Sequence, residues 1–449
     1  MQEIRINDSS FRDPNGFVIH SKGEIYRILN PEYNQTYDKF MQSGLYQELV
    51  DEKLILEHEL EQGKRLGKRS IRQVKIPLIT YPYEWSFDML KDAGLATLRC
   101  QELSYKHGME LQDASAYNIQ FYDGHPVMID LTSFVDTKFT QWRAYRQFCE
   151  HFLAPLALMG KKDLRLANLL QTYIDGIPLD LASSIIPKST FGSFGIALHI
   201  HTHAKMNTKK VNKFQYSFRQ PSERKLGMTK NLAMIDSLKN CINGIKCEQK
   251  TEWDRYYDET NYSEKAFNSK RFLVKQFIDS FDPKVVIDLG ANDGVFTEIA
   301  SEKAFTIACD IDPNAINKLY KKNIGTPVVC NLANPSSSLG WGNKERPGIL
   351  QRIKEQNGHV LALALLHHLR ITYGIPFEKQ FELLASITKH ALVEYVPKGD
   401  SQVMLMMAGH HEIYADYNKE SFENAMTKYF KISEYPIEDS MRILYEIHV

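Results

Sequence analysis

The chain has 449 residues and a mass of 51.9 kDa, room for two or three domains at about 150 residues each. Hydrophobic residues make up 43% and charged residues 24%, which excludes a largely disordered chain. Lys plus Arg and Asp plus Glu are 55 each, so the basic excess of a non-specific nucleic-acid binder is absent and nucleic acid is not expected as a partner.

The first ten residues, MQEIRINDSS, hold no apolar signal core. Further on, IYRIL reads as a strand carrying Arg27, and IPLITYPYEW as a hinge between lobes. LKDAGLATLRCQELSYKHGM has helical spacing. DASAYN then places Asn118 five residues after Asp113, and FYDGHPVMID reads as a hairpin ending at Asp130.

This constellation resembles the catalytic loop and metal-binding Asp of protein-kinase-like and aminoglycoside-phosphotransferase-like folds. The resemblance implies that Asp113 orients an acceptor hydroxyl and that Asn118 and Asp130 hold magnesium for ATP. A glycine-rich phosphate loop is not visible, and Arg27 is the nearest candidate for the nucleotide-binding cation. Three readings stay open: an active kinase, a kinase-like module that presents the methyl acceptor, or a chance spacing of turn residues.

HIHTHAK sets His199, His201 and His203 two apart. On a strand they share a face and could bind metal; on a helix they spread around it. A packing role is the expectation, and no resident metal is expected. Residues 204–250, with AKMNTKKVNKFQYSFRQPSERK, are basic and poor in apolar periodicity and read as a linker.

The C-terminal part alternates strands and helices. Strands are predicted at Val285–Leu289, Thr306–Cys309, Pro327–Cys330, Val360–Leu365 and Ala391–Val396, with helices such as Pro313–Lys321 and Pro376–Lys389 between them. That order implies a parallel doubly wound sheet. YFKISEYPIEDSMRILYEIHV reads as two closing antiparallel strands.

The sharpest signal is VVIDLGANDGVFTEIA. A buried strand ends in Asp288, then Gly290 and Gly294 make the turn into a helix whose free N–H groups favour an anionic or polar ligand. Asp310 ends the next strand, where a carboxylate can accept ribose hydroxyls. The pattern is not the dinucleotide fingerprint GxGxxG. The form D-x-G-x-x-x-G resembles motif I of class I S-adenosylmethionine-dependent methyltransferases, with Asn292 where many members carry a third glycine.

The resemblance implies S-adenosylmethionine as cofactor. Asp288 and Gly290 would line its methionine end, Asp310 would hold the ribose and Asn331 would lie near the adenine, with Asn292, Gly294 and Ile311 also among the cofactor-binding residues. Asp312 is a helper or a helix cap, and Tyr262 and Lys270 lie where a lid often sits. His367 and His368, after the fourth strand, are candidate general bases. Trp341 and Arg346 in the long insert 331–350, with Glu394 and Lys398 on the fifth strand and after it, are candidate acceptor contacts. Asp400 is expected to cap the helix SQVMLMM.

Taken with DASAYNIQF, YRQFCEHFLAPLALM, DGIPLDLAS, ALALLHHL and EYVPKGDSQV, the chain resembles nodulation-protein NoeA-related methyltransferases along nearly its whole length. The fold class expected is α/β. A C-terminal Rossmann-like seven-stranded methyltransferase sheet with an antiparallel last strand (251–449) follows the linker (204–250) and an N-terminal α+β kinase-like or substrate-recognition domain (1–203). The function expected is methylation of a hydroxyl- or amine-bearing acceptor, a saccharide or other small metabolite, with the N-terminal domain aiding recognition. The alternatives are a bifunctional kinase–methyltransferase using ATP–magnesium and a non-catalytic cofactor-binding scaffold.

Cys100, Cys149, Cys241, Cys247, Cys309 and Cys330 form no CxxC pair, which fits reduced thiols in a cytoplasmic protein. The longest apolar run, Val360 to Leu366, is far short of the ~20 residues that span a bilayer. The sequence leaves the acceptor, the oligomeric state and the pathway open.

Overall fold

The computed structural model describes residues 4–205, 226–249, 262–408 and 413–449. Two compact units form: residues 1–249 with Leu339–Arg346, and residues 250–338 with 347–449. Among the described residues, no helix is long and apolar enough to cross a membrane.

The first unit opens with five antiparallel strands: β1 (Ile4–Ile6), β2 (Gly16–Ser21), β3 (Glu24–Leu29), β4 (His58–Arg65) and β5 (Lys68–Gln73). Their order is β1-β2-β3-β5-β4. The predicted strand IYRIL is the centre of this sheet, with Arg27 opposite Val18 on one side and Ile71 on the other. Helices Asn34–Gln42 and Leu45–Asp51 lie between β3 and β4 in the chain.

Helix Phe87–Lys106 follows and buries Met89, Leu90, Ala93, Leu98 and Leu103. It ends at His107–Gly108, where Gly108 takes φ 70°. β6 (Met109–Leu111) pairs with β9 (Phe134–Asp136) around the hairpin of β7 (Ile119–Tyr122) and β8 (His125–Met128). Asp123 and Gly124 turn that hairpin at φ 49° and 74°, the left-handed pair that matches strand twist. The predicted helix and hairpin are thus both present.

The state left open for HIHTHAK is helical: His199 and His201 lie in the π-turn Ala197–Thr202 and His203 in the helical residues after it, so the three spread around the helix. His199 bonds Tyr145 and Ser237, and His201 bonds Ser183 and Thr190. The linker reading fails in part. Met228–Gly244 is a helix that buries Ile235, Leu238 and Ile242. These apolar residues recur at three and four positions, a periodicity obscured by the polar residues between them. Residues 206–225 of that expected linker lie outside the described residues.

The second unit is a seven-stranded sheet. Its strands are β10 (Val285–Leu289), β11 (Phe305–Asp310), β12 (Thr326–Val329), β13 (His359–Ala362), β14 (His390–Tyr395), β15 (Lys431–Pro436) and β16 (Ile443–His448). The order is β12-β11-β10-β13-β14-β16-β15. β10 to β14 pair in parallel, and β16 runs antiparallel to both neighbours.

The apolar runs read as strands because helices cover both faces of a parallel sheet. Helix Glu264–Phe281 contributes Val274, Phe277 and Ile278 to the core against Val286, Leu361 and Leu392. β13 stops at Ala362, short of the predicted Leu365. Ala364 takes φ 49°, which breaks the strand at the carboxyl edge of the sheet.

Candidate functional site

The carboxyl ends of β10 and β11 carry the glycine turn. Gly290, Asn292 and Gly294 take φ 80°, 47° and 92°. Asn tolerates the left-handed region better than any β-branched residue, so Asn292 preserves a turn that a third glycine would otherwise make. A Cβ on Gly294 would lie 2.0 Å from Leu319 Cδ2, so that glycine is demanded by packing as well as by φ.

Asp310 ties the turn together. Its Oδ2 accepts the Asn292 N–H at 2.8 Å and its Oδ1 accepts the Asp312 N–H at 2.8 Å. Each carboxylate oxygen keeps a further lone pair for a hydroxyl. Burial raises the Asp310 pKa to about 6, against the hydrogen bonds that lower it. Asp288 is also raised to about 6 by burial, with Thr297 Oγ1 donating to its Oδ2 at 2.7 Å. Ile311, beside Asp310, is 43% exposed.

This donor set fits S-adenosylmethionine. A carboxylate for the ribose hydroxyls, an exposed aliphatic side chain for the purine and a Cβ-free Gly290 for close approach lie at one sheet edge. Asp312 caps helix Pro313–Lys322, accepting the Asn314 N–H at 2.9 Å. Asn331 Oδ1 accepts the Ala333 N–H at 2.9 Å and shapes the loop after β12.

His367 and His368 open helix Leu366–Ile371 directly after the Ala364 break, with ring centroids 4.1 Å apart. His367 is buried and its Nδ1 has no hydrogen-bond partner among the described residues. Burial lowers the pKa of both, His367 well below its ordinary value and His368 to about 4. Both rings are therefore neutral at pH 7.

Glu394 was expected to face an acceptor. Instead it is fully buried in an ionic network. Lys270 Nζ lies 2.6 Å from Glu394 Oε2, and the Ala364 N–H donates to the same oxygen at 2.8 Å. Tyr262 donates to Glu394 Oε1 at 2.5 Å and accepts from Lys270 at 3.1 Å and Arg442 at 2.6 Å. Arg442 also reaches Asp400 at 2.8 Å, while Asp400 caps helix Ser401–Met406 as expected. Burial alone would raise Glu394, but Lys270 and Arg442 hold it below the usual carboxylate range.

Glu394 thus holds the Ala364 turn, and the sequence reading missed Arg442 altogether. It is one charge among several in the final hairpin, and nothing in the linear pattern singles it out. Lys398 is half-buried on the loop after β14.

The reading of the insert 331–350 is also revised. Residues Leu339–Arg346 belong to the N-terminal unit. Leu339 and Arg346 bridge each other, Arg346 stacks over Tyr117 with its guanidinium carbon 3.7 Å from the ring centroid, and Glu345 pairs with Arg12 at 2.8 Å. Trp341 is 76% exposed. Arg346 therefore stands with the Asp113–Asn118 loop rather than with the glycine turn.

In that loop Ser115 N–H donates to Asp113 Oδ1 at 2.8 Å, and Asn118 N–H caps onto Ser115 O at 3.1 Å. Burial, then the charge of Asp130, raise Asp113 above the ordinary carboxyl range. Asp130 Oδ1 lies 2.8 Å from Arg27 Nη1 and 2.7 Å from Thr132 Oγ1, and Ser133 Oγ donates to Oδ2 at 2.5 Å. With one oxygen saturated and a guanidinium against it, Asp130 does not fit a magnesium ligand.

Sheet order, glycine turn and the Asp310 carboxylate at the sheet edge agree with the pattern expected of an S-adenosylmethionine-dependent methyltransferase domain. No protein-family model matches the chain. Among solved structures, the N-methyltransferase NodS of Bradyrhizobium japonicum WM9 with S-adenosyl-l-homocysteine is 9% identical. That match covers 44% of this chain and 92% of NodS, at a TM-score of 0.31. The magnesium protoporphyrin IX methyltransferase ChlM of Synechocystis PCC 6803 with bound S-adenosylmethionine is 15% identical. It covers 44% of this chain and 90% of ChlM, at a TM-score of 0.29. The nodulation protein NoeA of Rhizobium meliloti (strain 1021) is 30% identical over 455 residues, 97% of this chain and 94% of its own. With that identity along nearly the whole of both chains, the protein belongs to the family of the nodulation protein NoeA.

Proposed function

We propose that the protein methylates a hydroxyl or amine of a small, hydroxyl-rich acceptor such as a saccharide, with the N-terminal unit aiding acceptor recognition. The observation that carries the reading is the Asp310 carboxylate, bonded to both loops at the carboxyl edge of the sheet and keeping lone pairs for a ribose. When bound, S-adenosylmethionine supplies a methyl already activated on a sulfonium.

The chain's own part is alignment and proton removal. Asp310 and Ile311 hold the nucleoside end, Gly290 admits the close approach, and Asp288 and Gly294 shape the turn. Asn331 borders the adenine side. The Ala364 turn, fastened by Glu394, sets where His367 and His368 begin their helix. His368, the more exposed of the two, takes the acceptor proton as the methyl arrives; His367 packs behind it. A base of pKa about 4 is weak, so this step asks little more than accepting a proton already released by C–O or N–C bond formation.

Recognition by the N-terminal unit rests on Asp113, a half-buried acceptor for a hydroxyl, and on the Arg346–Tyr117 stack, whose flat surface suits a sugar ring. Trp341 and Lys398 remain candidate acceptor contacts.

The deciding experiment is calorimetric titration with S-adenosylhomocysteine, followed by radiolabelled methyl transfer to a saccharide and amine panel. Binding and transfer that are lost in Asp310→Ala support the reading. Transfer unaffected by Asp310→Ala and Asp288→Ala refutes the cofactor assignment.

A further inference from the structure

The kinase-like loop of the N-terminal unit raises the question of what balances its carboxylates. Arg27 sits in mid-sheet on β3, paired on both sides, so its Cα is fixed by the ladder. Its side chain is 7% exposed. Nη1 reaches Asp130 Oδ1 at 2.8 Å, Thr132 Oγ1 at 2.7 Å and Asp13 Oδ2 at 3.4 Å; Nη2 reaches Ile129 O at 3.3 Å. Thr132 Oγ1 also lies 2.5 Å from Asp13 Oδ2.

We propose that the N-terminal unit binds its ligand without a divalent cation, because the Arg27 guanidinium is a built-in counter-cation for Asp130. A guanidinium cannot lose its proton in a protein, so the positive charge is permanent. A magnesium or manganese ion at Asp130 would need carboxylate oxygens turned toward it and would sit against that charge. Both needs conflict with the bonds Asp130 already makes to Arg27, Thr132 and Ser133. Among the described residues, no group of three or more His, Cys, Asp or Glu side chains is arranged to hold a metal. What the unit offers a ligand is then Asp113 and the Arg346–Tyr117 stack. That chemistry suits a neutral hydroxylated molecule rather than a metal-bound nucleotide.

The inference goes beyond methyl transfer, and its test does not use that reaction. Manganese binding to the full-length protein is followed by electron paramagnetic resonance of free Mn²⁺, with and without ATP. The wild-type protein is expected to leave the free-ion signal unchanged at sub-millimolar Mn²⁺, and ATP to add no protein-bound signal. Sub-millimolar binding of one Mn²⁺ that disappears in Asp130→Ala overturns the proposal.

Arg27→Gln, which uncovers Asp130 and Asp13, is expected to bind Mn²⁺ at least tenfold more tightly than wild type. A folded Arg27→Gln with no gain also overturns it. If circular dichroism shows that variant unfolded, the double variant Arg27→Gln/Asp13→Asn removes one charge of each sign and carries the same expectation.

Discussion

Lys270→Met tests whether the buried network holds the site's frame. Lys270 and Glu394 are 3% and 0% exposed and 2.6 Å apart, so removing the ammonium strands a carboxylate in the core. Breaking a buried pair from one side costs about 3–5 kcal/mol. Glu394 keeps the Tyr262 hydroxyl, the Ala364 N–H and Arg442 at 3.5 Å, which places the loss near ~3 kcal/mol on that scale. In a unit of this size that is roughly 6–12 °C in Tm. Urea unfolding followed by tryptophan and far-ultraviolet signals measures it. The double variant Lys270→Met/Glu394→Gln should recover at least half of the loss, since Arg442 still pairs with Asp400. A single-variant loss below about 1 kcal/mol, or no recovery in the double, refutes the reasoning.

Gly294→Ala forces a Cβ to 2.0 Å from Leu319 at φ 92° and should cost about 2 kcal/mol or more together with most S-adenosylhomocysteine affinity, read by thermal shift and calorimetry. Gly290→Ala meets Leu365 at 3.3 Å with φ 80°, so affinity should fall at least tenfold with a smaller stability loss. Asp288 and Asp310, raised to about 6, bind protons between pH 4 and 6 that the unfolded chain has released. Their contribution to folding is therefore present in acid and lost as pH rises through 6, whereas cofactor affinity needs the carboxylate and should weaken below pH 6. His359 runs the other way. Burial lowers it to about 4, with its ring stacked 4.7 Å from His390, so stability should fall as pH drops from 6.5 toward 4. His359→Phe should flatten that acid limb in pH-dependent melting.

Much of the fold was legible because it is written in short range. β10 begins and ends where its apolar run does, and the Asp-x-Gly turn announces itself within ten residues. The departures have long-range causes. Ala364 ends β13 early because its N–H bonds Glu394, thirty residues on, and no periodicity carries that information. Helix Met228–Gly244 was hidden by Lys and Asn on its outer face, while Ile235, Leu238 and Ile242 marked the inner one. The insert Leu339–Arg346 interrupts an α/β pattern, so sequence order assigned it to the wrong unit.

Residue types alone also misassigned the charges. Lys270 and Glu394 look like site chemistry in a linear reading, yet burial turns them, with Arg442, into the frame that fixes the Ala364 turn. Arg27 looks like a nucleotide cation, yet its bonds end on the carboxylate that a metal would use. In both units the same rule decides. A charged group that already has its partners inside the fold shapes a site, and the groups left with spare lone pairs at an edge, Asp310 and Asp113, are the ones able to meet a ligand.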